Sequence, residues 1–187
     1  MSAAARLVLA SSSPRRAELL RAAGIAFEVR PGRVVEPRYR GGDVAEYAES
    51  LARAKAASVP GELVLGADTI VVLDGEVLGK PADTDDAAGM LSRLSGRAHE
   101  VVTGVALNQG GVLRWAHEAA RVTFRPLTHG EIAAYIASGE PMDKAGAYAI
   151  QGGAASFVTA VEGDRDTVIG LPVALVRRLL RIAGVPT

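Results

Sequence analysis

The sequence predicts a mixed α/β fold, a largely antiparallel sheet flanked by helices. Three observations predict it. An apolar strand at residues 7–10 runs into a serine turn and a helix. Two long segments, 99–107 and 112–124, are joined through Gly110-Gly111 as a hairpin, and further helices open on recognisable caps. At 187 residues the chain can bury one substantial core, and no stretch resembles a linker, so residues 1–187 read as a single domain.

The first helix begins with Ser13 as N-cap and Pro14 at the first helical position, and Gly24 can close it in the left-handed conformation. Arg15 and Arg16 then crowd the end of the helix dipole that prefers an anion. Either a bound phosphate resolves that conflict, gripped by free N–H groups, serine hydroxyls and guanidinium forks, or both arginines turn to solvent. Residues 27–35 read as a strand ending at Glu36-Pro37. Asp43 opens a helix with Glu46 three residues on, and Val44, Tyr47, Ala48, Leu51, Ala54 and Ser58 keep its 3.6-residue period. Lys55 falls at the margin of that face, where it either snorkels to water or points into a cleft.

Residues 63–81 read as strand, polar interruption, strand, Asp-Gly turn and strand. The interruption is Asp68. A carboxylate between apolar strand residues must be paired, metal-bound or at the floor of a cleft, unless it bonds neighbouring amides and only ends the strand. Asp83, Asp85 and Asp86 open a helix to about Leu94, and Thr128 with Glu131 caps another ending near Ser138-Gly139. Residues 143–153 read as a small-residue strand into glycines. Its Gln151 amide donates and accepts at once, which suits a base edge, while the glycines equally suit a crowded strand crossing. A strand at 157–161, the Gly163-Asp164 turn, a strand through Ile169 and a last helix striped by Leu175, Leu179 and Ile182 complete the chain.

Composition removes several function classes. Acidic and basic residues balance at 21 each, so no overall field points to nucleic acid, and the eight aromatic side chains are too sparse for a base-stacking platform. With no cysteine there is no disulfide, thiolate catalysis or Cys-type zinc site. Neither His99 nor His117 has a second histidine at ligand spacing. Residues 75–81 lack the spacing and the final serine or threonine of a P-loop, and the Asp83 cluster lacks the glycine and distal glutamate of a calcium loop. The short apolar start and the absence of a membrane-length apolar run make a cytoplasmic protein with no membrane partner the expectation. All but three of the 21 basic residues are arginine. The exceptions, Lys55, Lys80 and Lys144, are therefore candidates for places where an ammonium must reach a single phosphate or carboxylate oxygen.

In order along the chain, ASSSPRR at 10–16, GADT at 66–69, GKP at 79–81, HEVVTG at 99–104, DKAGAYAIQG at 143–152 and IGLP at 169–172 resemble the Maf family of nucleoside triphosphate pyrophosphatases. The resemblance spans nearly the whole chain. It implies a fold related to the inosine triphosphate pyrophosphatases, with two lobes around a cleft, usually a homodimer. It also implies divalent-metal-assisted cleavage (Mg or Mn) of a nucleoside triphosphate to the monophosphate and pyrophosphate.

By position, the resemblance makes Asp68 the base for the attacking water and places Ser11, Ser13, Arg15, Arg16, Lys55 and Lys80 near the phosphates. Glu36 matches an acidic residue that holds metal or water, with Asp68 as its companion ligand. Arg15, Thr69 and Gln151 match positions of base choice, and arginine after Ser-Pro together with Ala-Ile-Gln-Gly resembles the branch acting on dTTP and UTP. Two positions depart from the family pattern: Val35 stands where an acidic residue often precedes Glu36, and Thr167 where asparagine is common. The alternative reading from the resemblance is a nucleotide-binding regulator of septum formation, which needs the cationic site but not Asp68.

Overall fold

The computed structural model describes residues 6–186, so the reading of residues 1–5 lies outside it. The elements are β1 (Leu7–Leu9), α1 (Pro14–Ala22), β2 (Phe27–Val29), α2 (Val44–Ala57), β3 (Leu63–Leu73), β4 (Glu76–Leu78), α3 (Thr84–Leu94), β5 (Ala98–Gln109), β6 (Val112–Phe124), α4 (His129–Ala137), β7 (Val158–Glu162), α5 (Arg165–Ile169) and α6 (Val173–Ile182). Seven strands form one sheet in the order β2-β1-β3-β5-β6-β7, with β4 paired to β3. The sheet is mixed, as the sequence predicts. β1 lies parallel to both β2 and β3, the geometry that needs helical crossovers, whereas β3–β4 and β6–β7 are antiparallel and β5–β6 is a hairpin closed by two glycines.

Two compact units share these strands. The first holds the described residues up to Asp68, Thr103–Glu118 and the described residues from Gly170, and the second holds Thr69–Val102 and Ala119–Ile169. In the first, Leu7, Leu9, Leu63, Leu65, Val105 and Leu107 pack with Leu20 of α1 and Leu175, Val176, Leu179 and Leu180 of α6. Each such side chain contributes about 1.5–3 kcal/mol by leaving water. In the second, Leu73, Leu91, Leu94, Val122, Phe124, Tyr148 and Phe157 form a separate core.

α2 meets the sheet at glycines. A Cβ at Gly66 would run into the backbone of Ala52 and Ala56, and one at Gly104 into the backbone of Ala48 and Glu49. Small residues on both surfaces, with Ala48, Ala52 and Ala56 facing Gly66 and Gly104, let the helix approach β3 and β5 this closely. The buried stripe of α2 accordingly runs through Ala48, Leu51, Ala52 and Ala56, rotated from the expected Ala54 and Ser58.

Other boundaries differ from the sequence reading. The expected strand at 27–35 stops at Val29, and residues 30–42 are irregular. β3 runs uninterrupted through Asp68, because the ladder is made by the backbone and a strand can carry one polar side chain on a face without losing it. Residues 143–153 are not a strand: 3₁₀ turns at Glu140–Asp143, Ala145–Ala147 and Gly153–Phe157 take their place, and Gly146 and Ala147 adopt positive φ, which no strand accommodates. Residues 165–169 form the short helix α5, not a strand. Ile182 is 63% exposed, since the buried stripe of α6 centres on Val176, Leu179 and Leu180 and leaves it at the margin.

Candidate functional site

Lys55 settles between its two expected orientations by geometry. Seven residues after Ala48, it faces the same side as the buried alanines of α2, and the close seat of that helix brings its ammonium to the middle of β3. Lys55 Nζ pairs with Asp68 Oδ1 and lies 2.8 Å from Glu36 Oε1. The Lys55 side chain is 19% exposed and that of Asp68 11%, against 47% for Glu36. Asp68 is therefore the buried member of the pair and Glu36 the open one.

Glu36 stands in the irregular segment after β2, and a tyrosine holds that segment. The Tyr47 hydroxyl donates to Pro37 O at 2.9 Å, its ring packs on Tyr39 at 5.1 Å, and the Tyr39 hydroxyl donates to Gly42 O at 2.7 Å. Burial, then the carboxylates of Asp68 and Glu36, push the Tyr47 phenol above its ordinary pKa, so it stays neutral beside them. Tyr47 was legible in the sequence only as one residue of a helical period. Nothing there marks its hydroxyl as a tether for the Glu36 segment.

Arg16 completes the cluster. Its Nε donates to Gly170 O at 2.8 Å and one terminal nitrogen donates to Ser11 Oγ at 3.2 Å. Burial pulls the guanidinium below its ordinary pKa and Arg15 adds to this, while Asp68 and Glu36 oppose it. Arginine remains cationic under any such shift. Gly170 sits at φ 124°, a region that favours glycine, so the IGLP segment has a concrete structural role in presenting a backbone carbonyl to Arg16. Ser13 caps α1 in conformation but its hydroxyl accepts no cap bond; instead its own N–H donates to Ser11 Oγ at 3.2 Å. Arg15 is partly buried in the first turn, and its side chain has no hydrogen-bond partner among the described residues.

The remaining expected residues belong to the second unit. Thr69 follows Asp68 on β3 and is partly buried. Lys80 is exposed and unpaired among the described residues, in a segment held where Gly146 N donates to Gly79 O at 3.0 Å. Any Cβ at Gly146 would press on Val71 at 2.9 Å, so this contact requires glycine. Gln151 is exposed on a tight turn closed by Gly152 N donating to Ala149 O at 3.1 Å. Lys144 pairs with the adjacent Asp143. Val35 is 95% exposed and Thr167 is fully buried.

Glu36 and Asp68 supply two carboxylates around one ammonium, and no group of three or more His, Asp or Glu gathers among the described residues. Two carboxylates are the donor set of a hard divalent cation that fills its other positions with water and phosphate oxygens. The residues present therefore fit a magnesium or manganese ion delivered with a polyphosphate. The first unit thus gathers a buried carboxylate with an ammonium and a guanidinium group beside it.

Among solved structures, the Ham1 protein of Staphylococcus aureus aligns with 64% of this chain and 71% of its own at 15% identity and a TM-score of 0.44, too distant to bear on the fold. Relatives in sequence are far closer. A protein of Symbiobacterium thermophilum named dTTP/UTP pyrophosphatase is 52% identical over 97% of this chain and 95% of its own length. Proteins of the same name from Koribacter versatilis and from an Anaeromyxobacter species are each 53% identical, over 96% and 97% of this chain and 95% and 91% of theirs. Residues 6–183 match the family described as Maf-like protein. With the ordered motifs, this match over nearly every described residue establishes that the chain belongs to the Maf family.

Proposed function

We propose that this protein is a nucleoside triphosphate pyrophosphatase that hydrolyses dTTP and UTP to the monophosphate and pyrophosphate. The observation that carries the mechanism is the buried Asp68 carboxylate in mid-strand, held by Lys55 and flanked by Arg16. Asp68 orients a water and takes its proton as the water oxygen bonds to the α-phosphorus. The bridging bond to the β-phosphate breaks, and pyrophosphate leaves with that electron pair. Ser11 is not arranged as a rival nucleophile: its oxygen accepts from Arg16 and from Ser13 N, and no base stands beside it in these contacts.

Arg15, Arg16 and Lys80 receive the negative oxygens, and Ser11 and Ser13 orient them. Lys55 bridges Asp68 and Glu36 and can turn one donor towards a phosphate oxygen without leaving the pair. Glu36 and Asp68 hold the divalent cation, which when bound neutralises charge on the polyphosphate. Gln151 reads the base, its amide donating to O4 and accepting from N3–H of uracil or thymine, and Arg15 and Thr69 share in that choice. The family resemblance supports a homodimer, the short apolar start of the sequence is the support for a cytoplasmic protein, and no helix among the described residues is long and apolar enough to cross a membrane.

The test is pyrophosphate release from dTTP, UTP, CTP, dATP, GTP and 7-methyl-GTP with magnesium or manganese, run beside Asp68→Asn. Release from dTTP and UTP that is lost in the variant supports the proposal. Nucleotide binding without release from any triphosphate replaces it with the regulator.

A further inference from the structure

The Gln151 turn is anchored at both feet by two side chains that the proposed chemistry does not use. Gln151 occupies the third position of the turn that opens at Ala149 and closes at Gly152. At the first foot, Ala149 N donates to the Tyr135 hydroxyl at 3.1 Å, a buried bond. Just past the second, Gly153 N donates to Glu140 Oε2 at 3.1 Å. The Tyr135 hydroxyl in turn donates to Glu140 Oε1 at 2.8 Å, so one relay ties both feet together.

Local backbone builds the relay. α4 ends at Ala137, Gly139 at φ 76° turns the chain back, and Pro141 fixes the following 3₁₀ turn, which returns Glu140 to the hydroxyl of Tyr135. The two glycines after Gln151 make room for it: a Cβ at Gly152 would collide with the Glu140 carboxylate, and one at Gly153 would lie 3.0 Å from the Tyr135 ring. Tyr135 is 6% exposed, so its position is set by the core of its unit.

We infer that Tyr135 and Glu140 are positioning residues for base selection: through the backbone of residues 149–153 they fix where Gln151 presents its amide. This rests on the reading of Gln151 as the base-reading residue. An amide discriminates uracil from cytosine only when its backbone holds it within hydrogen-bonding reach of the edge on which the two bases offer opposite donor and acceptor patterns. A wandering turn would lose that distinction while leaving the phosphate chemistry in place.

Glu140 must be a carboxylate to hold the turn in this way. Both of its oxygens accept, one from a hydroxyl and one from a backbone N–H. The isosteric Glu140→Gln keeps one acceptor for Gly153 N and turns an NH₂ on the Tyr135 hydroxyl, which loses the acceptor for its own proton, weakening the relay without changing its volume.

The experiment measures kcat and KM for UTP and CTP in the wild-type enzyme, Gln151→Ala, Glu140→Gln and Tyr135→Phe, with thermal melts of each. Glu140→Gln and Tyr135→Phe are each expected to raise KM for UTP and lower the UTP-to-CTP preference about tenfold, with kcat changed less than about twofold. A purely structural role would instead lower melting temperature and kcat for both nucleotides in parallel and keep the preference, which overturns the inference. If Glu140→Gln does not fold, Tyr135→Phe decides by the same ratio. A preference unchanged in Gln151→Ala refutes the reading of Gln151 and the inference with it. A preference lost in Gln151→Ala but kept in both other variants overturns the positioning role alone.

Discussion

The unit carrying Asp68 and the unit carrying Gln151 hold their polar groups by different means. Around Asp68, regular elements set the geometry. A helix of small residues seats on Gly66 and Gly104, and the ion pair of Lys55 with Asp68 follows from where α2 and β3 are forced to lie. Gln151 itself lies in no strand or helix but on a turn. Turns are held by side chain to backbone bonds from Tyr135 and Glu140 and by the Gly146 bond to Gly79. On the proposed function, the difference teaches that proton transfer is placed on the rigid scaffold, where a small displacement is costly, and recognition on turns whose exposed tip can be altered without repacking a core.

The largest effect that would break this comparison is at Asp68. Asp68→Asn is expected to lower kcat for dTTP and UTP by roughly 10³-fold with its melting temperature held within a few degrees, as read by pyrophosphate release and calorimetry. Substantial turnover in the variant would remove the first unit's claim on proton transfer.

Next is the seat of α2. Gly104→Ala forces a methyl into the Ala48 backbone and should cost about 3 kcal/mol in urea unfolding, with activity falling as Lys55 shifts from Asp68. An unchanged midpoint would show that helix and sheet can part without loss.

A smaller effect concerns the second core. His99 is buried against Phe124 and Tyr148, with ring centroids 5.0 and 5.4 Å away, and its Nε2 lies 2.8 Å from the Tyr148 hydroxyl. Its Nδ1 is buried with no hydrogen-bond partner. Burial lowers its pKa from 6.5 to about 4. The unfolded chain therefore binds the proton first as pH falls, so stability is lost between about 6.5 and 4 and is fully present above that window. Between pH 7 and pH 5 this amounts to about 2 kcal/mol, and His99→Gln should flatten that limb of a urea-midpoint profile. Glu131, held down to about 2 first by Arg125 and then by Thr128, titrates below this range. A variant profile parallel to wild type would remove His99 as the cause.

The smallest effect sharpens the contrast. Gln151→Ala should change kcat for UTP little but reduce the preference for UTP over CTP about tenfold, measured as a ratio of kcat/KM. A parallel loss for both nucleotides would make Gln151 a phosphate or structural residue and erase the division between the two regions.

Much of the first unit could be read in advance. A carboxylate inside an apolar strand and a lysine in an arginine-rich chain are conspicuous, and each needs a partner; that they partner each other follows from helical phase once the buried face of α2 is known. The Asp43 cap of α2 and the Thr128–Glu131 capping box form as the local pattern requires. The second unit was less legible. Residues 143–153 carry strand-like small and β-tolerant residues, but their conformation is set by a Tyr135 hydroxyl and a Glu140 carboxylate, 14 and 13 residues from the amides they hold, and by a Val71 side chain that forces glycine at 146.

The sequence by itself determined the mixed α/β class, the main helices and hairpin, the family, and the residue types available for anion binding and proton transfer. These rest on periodicity, caps and ordered motifs, which act over a few residues at a time. Only the tertiary structure decided that Lys55 spans Asp68 and Glu36, that Gly170 anchors Arg16, and that Tyr135 and Glu140 hold the Gln151 turn. The reason is physical: those contacts join groups whose spacing along the chain carries no period, and they form only when close-seated elements bring distant donors and acceptors within about 3 Å.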